Sequence, residues 1–312
     1  MQEKEIIQSF YKKNREESDD CFLLDGKQLV TTDVMAENVH FNTKWSSPAD
    51  LASKLVEVNV SDIAASGGIP QYAFLNLGLP ALSDKWIREY STATSRALKA
   101  HGITLAGGDT FRSEKIYLGM TIIGKTSSPL IRKNAQPGEY VYITGPLGYS
   151  LLGYEFLIKN KIDINAKGKH YRDISAYNTS AAVKKGVEKH LRPKSRLNEM
   201  TKLNKKFRLS SAIDITDGLV QDAASLAGAS KTKIILSLDQ LPERSVLDKH
   251  LPLEKQVTSG EELEILFTSP DPGIHLGEKN VHLIGVTTKG KGVEFFDNGV
   301  RTEITDKGFL HF

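Results

Sequence analysis

The chain has 312 residues, 39% hydrophobic and 25% charged, with a formal charge of +3. The length suffices for two domains with cores of their own, and the small charge, with no Lys/Arg run interleaved with aromatics, excludes a nucleic-acid stripe. A single cysteine, Cys21, excludes an internal disulfide framework and a multi-thiolate zinc site, and no unbroken apolar window is long enough to span a membrane.

The N-terminal MQEKEIIQSFYKKNREE is polar and lacks the apolar core of a signal peptide, so a reducing, cytoplasmic setting is expected. Residues 5–13 suit a short helix. QLVTTDV (28–34) alternates like a half-buried strand, and PADLASKLVEVNVSDIAASGG (48–68) reads as a helix closed by a Gly pair. YAFLNLGLP (72–80) reads as a strand. A helix over 84–100 leads into ITLAGGDT, followed by the strand KIYLGMTIIGK (115–125). KNAQPGE (133–139) is polar and turn-rich, which places a boundary there and predicts domains of 1–134 and 135–312. EYVYITGPLG (139–148) reads as a strand running into a Gly loop, and SAIDITDGLVQDAASLAGAS (211–230) as strand, turn and helix. Strands and helices alternate in both halves, so two α/β or α+β domains are expected.

Several acids stand where apolar residues belong. On a helix over 51–63, Leu51, Leu55, Val58 and Asp62 fall on one face at spacings of four, three and four, with Asn59 on the same side and Lys54, Glu57 and Ser61 on a polar stripe elsewhere. A carboxylate on an apolar face is costly unless paired or metal-bound. Asp33 repeats the pattern inside a strand, and Asp214 and Asp217 bracket the end of another. Asp109 follows two glycines at the tip of the apolar run ITLA, and Asp19 and Asp20 stand just before CFLL. Taken singly, an Asp before a helix is usually an N-cap and an Asp-Gly a turn, which suits Asp217 or Asp19. That account is weaker for Asp62 and Asp33, which lie inside regular elements. Few Lys or Arg stand nearby in sequence, and two carboxylates about 4 Å apart repel by roughly 4 kcal/mol at an effective dielectric near 20. Bound cations are the natural remedy, and oxygen-only ligands suit Mg²⁺.

The Gly-rich AGGDT and GPLG (145–148) could leave N–H groups open to phosphate. GMTIIGKT (119–126) matches G-x-x-x-x-G-K-[ST] by letter. Its Met, Thr, Ile and Ile belong in a strand, and Pro129 follows where a helix would have to start, so it is read as a chance match. Cys21, beside Phe22, is read as a packed small residue.

The runs LVTTDVMAENVHF, KLVEVNVSDIAASGGIPQYAFLNLGLP, LAGGDT, AIDITDGLVQDA and SGEELEILFT, together with the terminal KGFLHF, resemble the thiamine-monophosphate kinase family. That family shares a superfamily with aminoimidazole ribonucleotide synthetase, selenophosphate synthetase and a hydrogenase-maturation protein. The resemblance implies ATP-dependent phosphorylation of thiamine monophosphate to thiamine diphosphate. It also implies a homodimer whose N-terminal domains build a joint β-barrel, followed by a C-terminal α/β domain. Carried over by motif, Asp20, Thr31, Thr32, Asp33, Asp62, Asp109, Asp214 and Asp217 would bind Mg²⁺. Gly108, Asp109, Arg132 and Thr216 would contact ATP, and His40, Glu261 and Phe309 the thiamine monophosphate. No dedicated general base is expected, since the acceptor is itself an ionised phosphate. The chain departs from the family pattern at Ser18, Ser91, Tyr149, Glu262 and Leu263, none of them a metal position. Other readings are a kinase or synthetase of the same superfamily with another acceptor, a degenerate nucleotide-binding member, and an unrelated Mg²⁺ phosphohydrolase.

Overall fold

The computed structural model describes residues 9–10, 19–163 and 179–306. Of the expected helix over 5–13, only Ser9 and Phe10 fall among these, and both are helical. Among the described residues, no helix is long and apolar enough to cross a membrane.

Two sheets organise the chain. The first contains β1 (Phe22–Leu24), β2 (Gln28–Ala36), β3 (Ile69–Leu79), β4 (Thr104–Arg112) and β5 (Tyr117–Lys125), in the order β1-β2-β5-β3-β4. The β3–β4 pair is parallel and joined through a helix; the other neighbours are antiparallel. With β1 and β4 at its edges the sheet is open, so the expected barrel is not closed among the described residues. The P-loop look-alike lies inside β5, as its strand-forming letters predict.

The second sheet contains β6 (Tyr140–Ile143), β7 (Ser211–Ile215), β8 (Lys233–Ser237), β9 (Glu264–Ser269), β10 (His282–Thr288), β11 (Gly292–Asp297) and β12 (Val300–Thr302), in the order β12-β11-β8-β10-β6-β9-β7. β11 runs parallel to β8, and the other pairs are antiparallel.

The helices are α1 (Pro48–Ala65), α2 (Asp84–Ala100), α3 (Tyr149–Lys159), α4 (Ala181–Leu191), α5 (Leu197–Lys206) and α6 (Leu219–Ser230), with short turns elsewhere. Helix α1 joins the two halves. It starts at a capping box in which Ser47 and Asp50 satisfy each other's exposed amides, with Pro48 in the first turn. It ends three residues short of the predicted Gly68. Gly67 takes the left-handed conformation at φ +70°, and the Gly68 amide reaches back to the Ile63 carbonyl at 2.8 Å. Leu51, Leu55 and Ile63 are wholly buried in a core that continues past the first sheet to Tyr142, Met200 and Phe267 of the second half.

The polar stripe of α1 is buried too, extended by one turn. Asp50, Lys54, Glu57 and Ser61 recur at spacings of four, three and four, and each bonds to the second half of the chain. Asp50 pairs with Arg192, and Lys54 with Glu261 at 2.8 Å. Glu57 takes Lys194 and the Ser195 amide, each at 3.0 Å, and Ser61 takes Asp214 at 2.6 Å. Burying an ionic stripe is costly unless every member is paired, and here each one is.

Candidate active site

Alternation along β2 puts Thr31 and Asp33 on the face toward α1, and Thr32 and Val34 on the other. Thr31 Oγ1 donates to Asp62 Oδ2 at 2.5 Å. The Asp33 amide donates to Asn59 Oδ1 at 3.2 Å, and Asn59 Nδ2 to the Leu55 carbonyl at 2.9 Å, so Asn59 fastens the strand to the helix. Asp214 lies in β7, and Asp20 just before β1. Asp20, Asp62 and Asp214 each offer an oxygen, all within 4.8 Å of one another, with Asp214 buried and the other two half-buried.

Charge repulsion is written into this cluster. Burial, then the charges of Asp33, Asp214 and Asp20, push the Asp62 carboxyl well above the usual carboxylate range. Burial and Asp20 do the same to Asp214, and raise Asp33 as well. Among the described residues, the cation that faces them is Arg132, expected at the nucleotide and here paired with Asp20 from 112 positions away. Burial works against its charge, but Asp20 and Asp214 hold the guanidinium protonated. Four acids crowd an all-oxygen donor set beside the Arg132 guanidinium, and a divalent cation would relieve the repulsion that raises them, which fits Mg²⁺. Cys21 is buried beside them; burial and the Asp62 charge push its thiol up, away from a nucleophile's range.

The turn after β7 is held by a residue the sequence reading passed over. The amides of Thr216, Asp217 and Gly218 all donate to Asp222 Oδ2, at 3.1, 3.2 and 3.1 Å. Asp222 lies in the first turn of α6, and an acid in a helix's first turn was a sequence signal that could have found it.

A cavity of about 760 Å³ connects this acid cluster to an aromatic pocket. Asp33, Asp62, Thr216 and Asp217 line one part; Phe41, Trp45, Tyr154 and Ile158 line another, beside His40, His190 and Glu261. His40 Nδ1 accepts the Ala36 amide at 3.0 Å. Burial alone would raise the Glu261 carboxyl, but Lys54, His190 and His40 outweigh it and keep it below the usual range. His190 lies 3.7 Å from Glu261 and 3.4 Å from Ser150 Oγ. Burial and the Lys54 charge lower it to about 4, so it is a neutral imidazole at neutral pH. Lys54, Trp45, Tyr154 and His190 were not legible as site residues, because their partners are distant in sequence.

Some expected residues stay apart. Asp109 is not at a loop tip: AGGD lies within edge strand β4, where Asp109 pairs with Asn76. Asn76 registers with Gly119 and Gly119 with Val34, which puts Asp109 on the sheet face opposite Asp33. Three strand spacings separate them, roughly 14 Å. Gly108 sits at φ +152°, and a Cβ there would fall 1.9 Å from the Leu75 carbonyl, so this glycine serves strand packing. Thr32 turns away from the acids and donates to the Met120 carbonyl at 3.2 Å. Phe309 lies outside the described residues, as does Ser18.

The last GPLG amide, that of Gly148, is not open to phosphate as expected, and neither is that of Ser150 just beyond the run. They donate to Glu262 Oε1 at 2.8 and 2.9 Å, so a buried carboxylate caps α3 from within. Tyr149 is buried and donates to Glu243, with Lys185 stacked over its ring. Ser91 lines a separate groove of about 630 Å³ between α2 and the β3–β4 edge. Leu263 lines the main cavity with φ +51°.

Residues 18–126 match the family described as AIR synthase related protein, N-terminal domain. The thiamine-monophosphate kinase of Leptospira interrogans serogroup Icterohaemorrhagiae serovar Lai is 40% identical over 316 residues, covering 100% of this chain and 98% of that one. The thiamine-monophosphate kinase of Aquifex aeolicus is 31% identical over 297 residues, covering 92% and 88%. A solved structure described as AaThiL complexed with AMPPCP and TMP superposes with a TM-score of 0.85 at 29% identity, covering 100% of this chain and 97% of the other.

Proposed function

This chain belongs to the thiamine-monophosphate kinase family, and from that premise we propose that it transfers the γ-phosphoryl group of ATP to thiamine monophosphate by direct in-line attack, assisted by Mg²⁺. The observation that carries the reading is the continuity of one cavity between the acid cluster and an aromatic pocket bearing Glu261 and His40. An acceptor with a phosphate at one end and a heterocycle at the other matches that division of chemistry.

Asp20, Asp33, Asp62 and Asp214 would hold Mg²⁺, with Thr31 orienting Asp62 and Ser61 orienting Asp214. Bound there, the ion would offset the charge of the phosphates and of the acids themselves. Asp217, at the cavity wall, would extend the set. Arg132, paired with Asp20, supplies fixed positive charge for the nucleotide. The acceptor oxygen is already anionic at neutral pH, so positioning is the chain's main task and no side chain needs to take a proton. Glu261 and His40 would hold the heterocycle, with Phe41, Trp45 and Tyr154 excluding water from it.

The exposed face of the first sheet carries Val34, Tyr72, Phe74 and Tyr117, an apolar surface that a second copy would cover. Gly108 and Asp109 stand on that sheet, Asp109 on that face, so their proposed nucleotide contacts and the proposed homodimer with its joint barrel go together. We take residues 1–134 as the metal- and ATP-binding half, 135–312 as the second domain, and the cytoplasm as the setting. The test is thiamine diphosphate formation from thiamine monophosphate, ATP and Mg²⁺. Product that disappears on adding EDTA is expected; none with Mg²⁺ present would overturn the reading.

A further inference from the structure

Of the four polar residues that α1 presents to the second half of the chain, three bond to partners that play no part in the acceptor pocket or only steady a metal position. Lys54 differs. Its partner, Glu261, keeps 32% of its side chain exposed and opens onto the cavity, whereas the Lys54 side chain is itself only 4% exposed. We infer that Lys54 is a positioning residue for the acceptor, holding the Glu261 carboxylate aimed into the aromatic pocket and tying it to the loop that carries His40. The inference rests on the reading of this cavity as the acceptor site.

Three observations carry it. A buried ammonium is expensive to desolvate, and an apolar side chain of the same length would pack α1 at least as well, so stability alone does not account for the charge. Glu261 is a non-glycine residue at φ +56°, a conformation that persists only where its surroundings enforce it. Its amide donates to the Thr216 carbonyl at 2.8 Å, and its carboxylate accepts Lys54 Nζ at 2.8 Å. Backbone and side chain are thus fixed from opposite directions, one by the β7–α6 turn and the other by α1. Finally, Lys54 Nζ also donates to the His40 carbonyl at 3.4 Å. One ammonium therefore joins two proposed acceptor contacts that stand 221 positions apart in the chain (261 − 40). The groups facing Glu261 are Lys54 from α1, His190 from α4 and His40 from the loop after β2. His190 is neutral at neutral pH and the His40 ring takes the Ala36 amide at Nδ1, so Lys54, at 2.8 Å, is the ammonium that orients the carboxylate.

Lys54→Met keeps the length of the side chain and removes its charge. In the full-length protein, with thiamine diphosphate formation as the readout, the KM for thiamine monophosphate should rise about tenfold or more while the KM for ATP stays within about twofold. Lys54→Arg should recover part of the loss. In a Glu261→Gln background, Lys54→Met should add less than about twofold, because a residue acting through Glu261 has nothing left to position. Equal rises in both KM values, or effects of the two substitutions that multiply, would overturn the inference and leave Lys54 a structural residue. Should Lys54→Met fail to melt as a folded protein, Lys54→Arg decides alone. Its longer, planar head must displace Glu261, so an unchanged KM for thiamine monophosphate would refute the role. If the unaltered enzyme makes no thiamine diphosphate, the acceptor reading itself has failed, a result distinct from either outcome for Lys54.

Discussion

At Asp62 the physical conflict is sharpest. Its carboxyl sits on a helix face otherwise apolar, is raised by burial and by three neighbouring acids, and accepts the Thr31 hydroxyl, which works against that rise. Replacing it with Asn keeps the shape and removes one charge. Asp62→Asn should lower kcat by about a thousandfold or more while the metal-free protein melts at the same temperature or higher, since like-charge repulsion is lost. Near-normal kcat at saturating Mg²⁺ would sink the metal-cluster reading. The oddity of Asp62 is legible from spacing alone. Lys54 is the opposite case: at the same helix spacing it reads as one of a solvated stripe, because Glu261 stands 207 positions away in the chain.

Among the elements, the β7–α6 turn shows how a carboxylate can be structural and still serve a site. Asp222 Oδ2 accepts three successive amides, which would otherwise be orphaned at a helix N-terminus. Asp222→Ala should destabilise the protein by about 1–3 kcal/mol and loosen Thr216 and Asp217. Thermal melting and the KM for ATP measure the two effects, and a variant unchanged in both would show that the turn holds itself. The α3 N-terminus follows the same logic, with Glu262 in place of an anionic ligand. The exposed face of the first sheet also belongs to this scale. Phe74→Asp places a charge at the centre of its apolar surface, so light scattering should report a monomer with little activity. A dimer unaffected by that charge would place the interface elsewhere.

For the molecule as a whole, the seam between the halves sets the response to acid. An unfolded chain protonates His190 near pH 6.5, the folded protein only near 4, because burial and Lys54 oppose the charge. The unfolded state therefore binds the extra proton across that interval, and stability falls as pH drops from 6.5 toward 4, by on the order of 3 kcal/mol. Glu57, lowered to about 2 by the His101, Ser195 and Lys194 contacts that outweigh its burial, extends the loss below pH 4.5. His190→Gln should flatten the upper limb of a melting-temperature profile against pH and leave the lower limb in place. An upper limb that persists in this variant would assign the sensitivity to another group.

The sequence by itself determined the periodic elements, the strand nature of the P-loop look-alike, the oddity of Asp33 and Asp62, and the family. Each of these is written in local spacing or in contiguous motifs. Tertiary structure alone decided that Arg132 faces the acids, that α1 buries a second, ionic face, that Gly107 and Gly108 lie inside an edge strand, and that Asp109 stands across the sheet from Asp33. Each of those depends on partners tens to hundreds of residues apart, or on which side of a strand a register assigns, and local spacing carries no record of either.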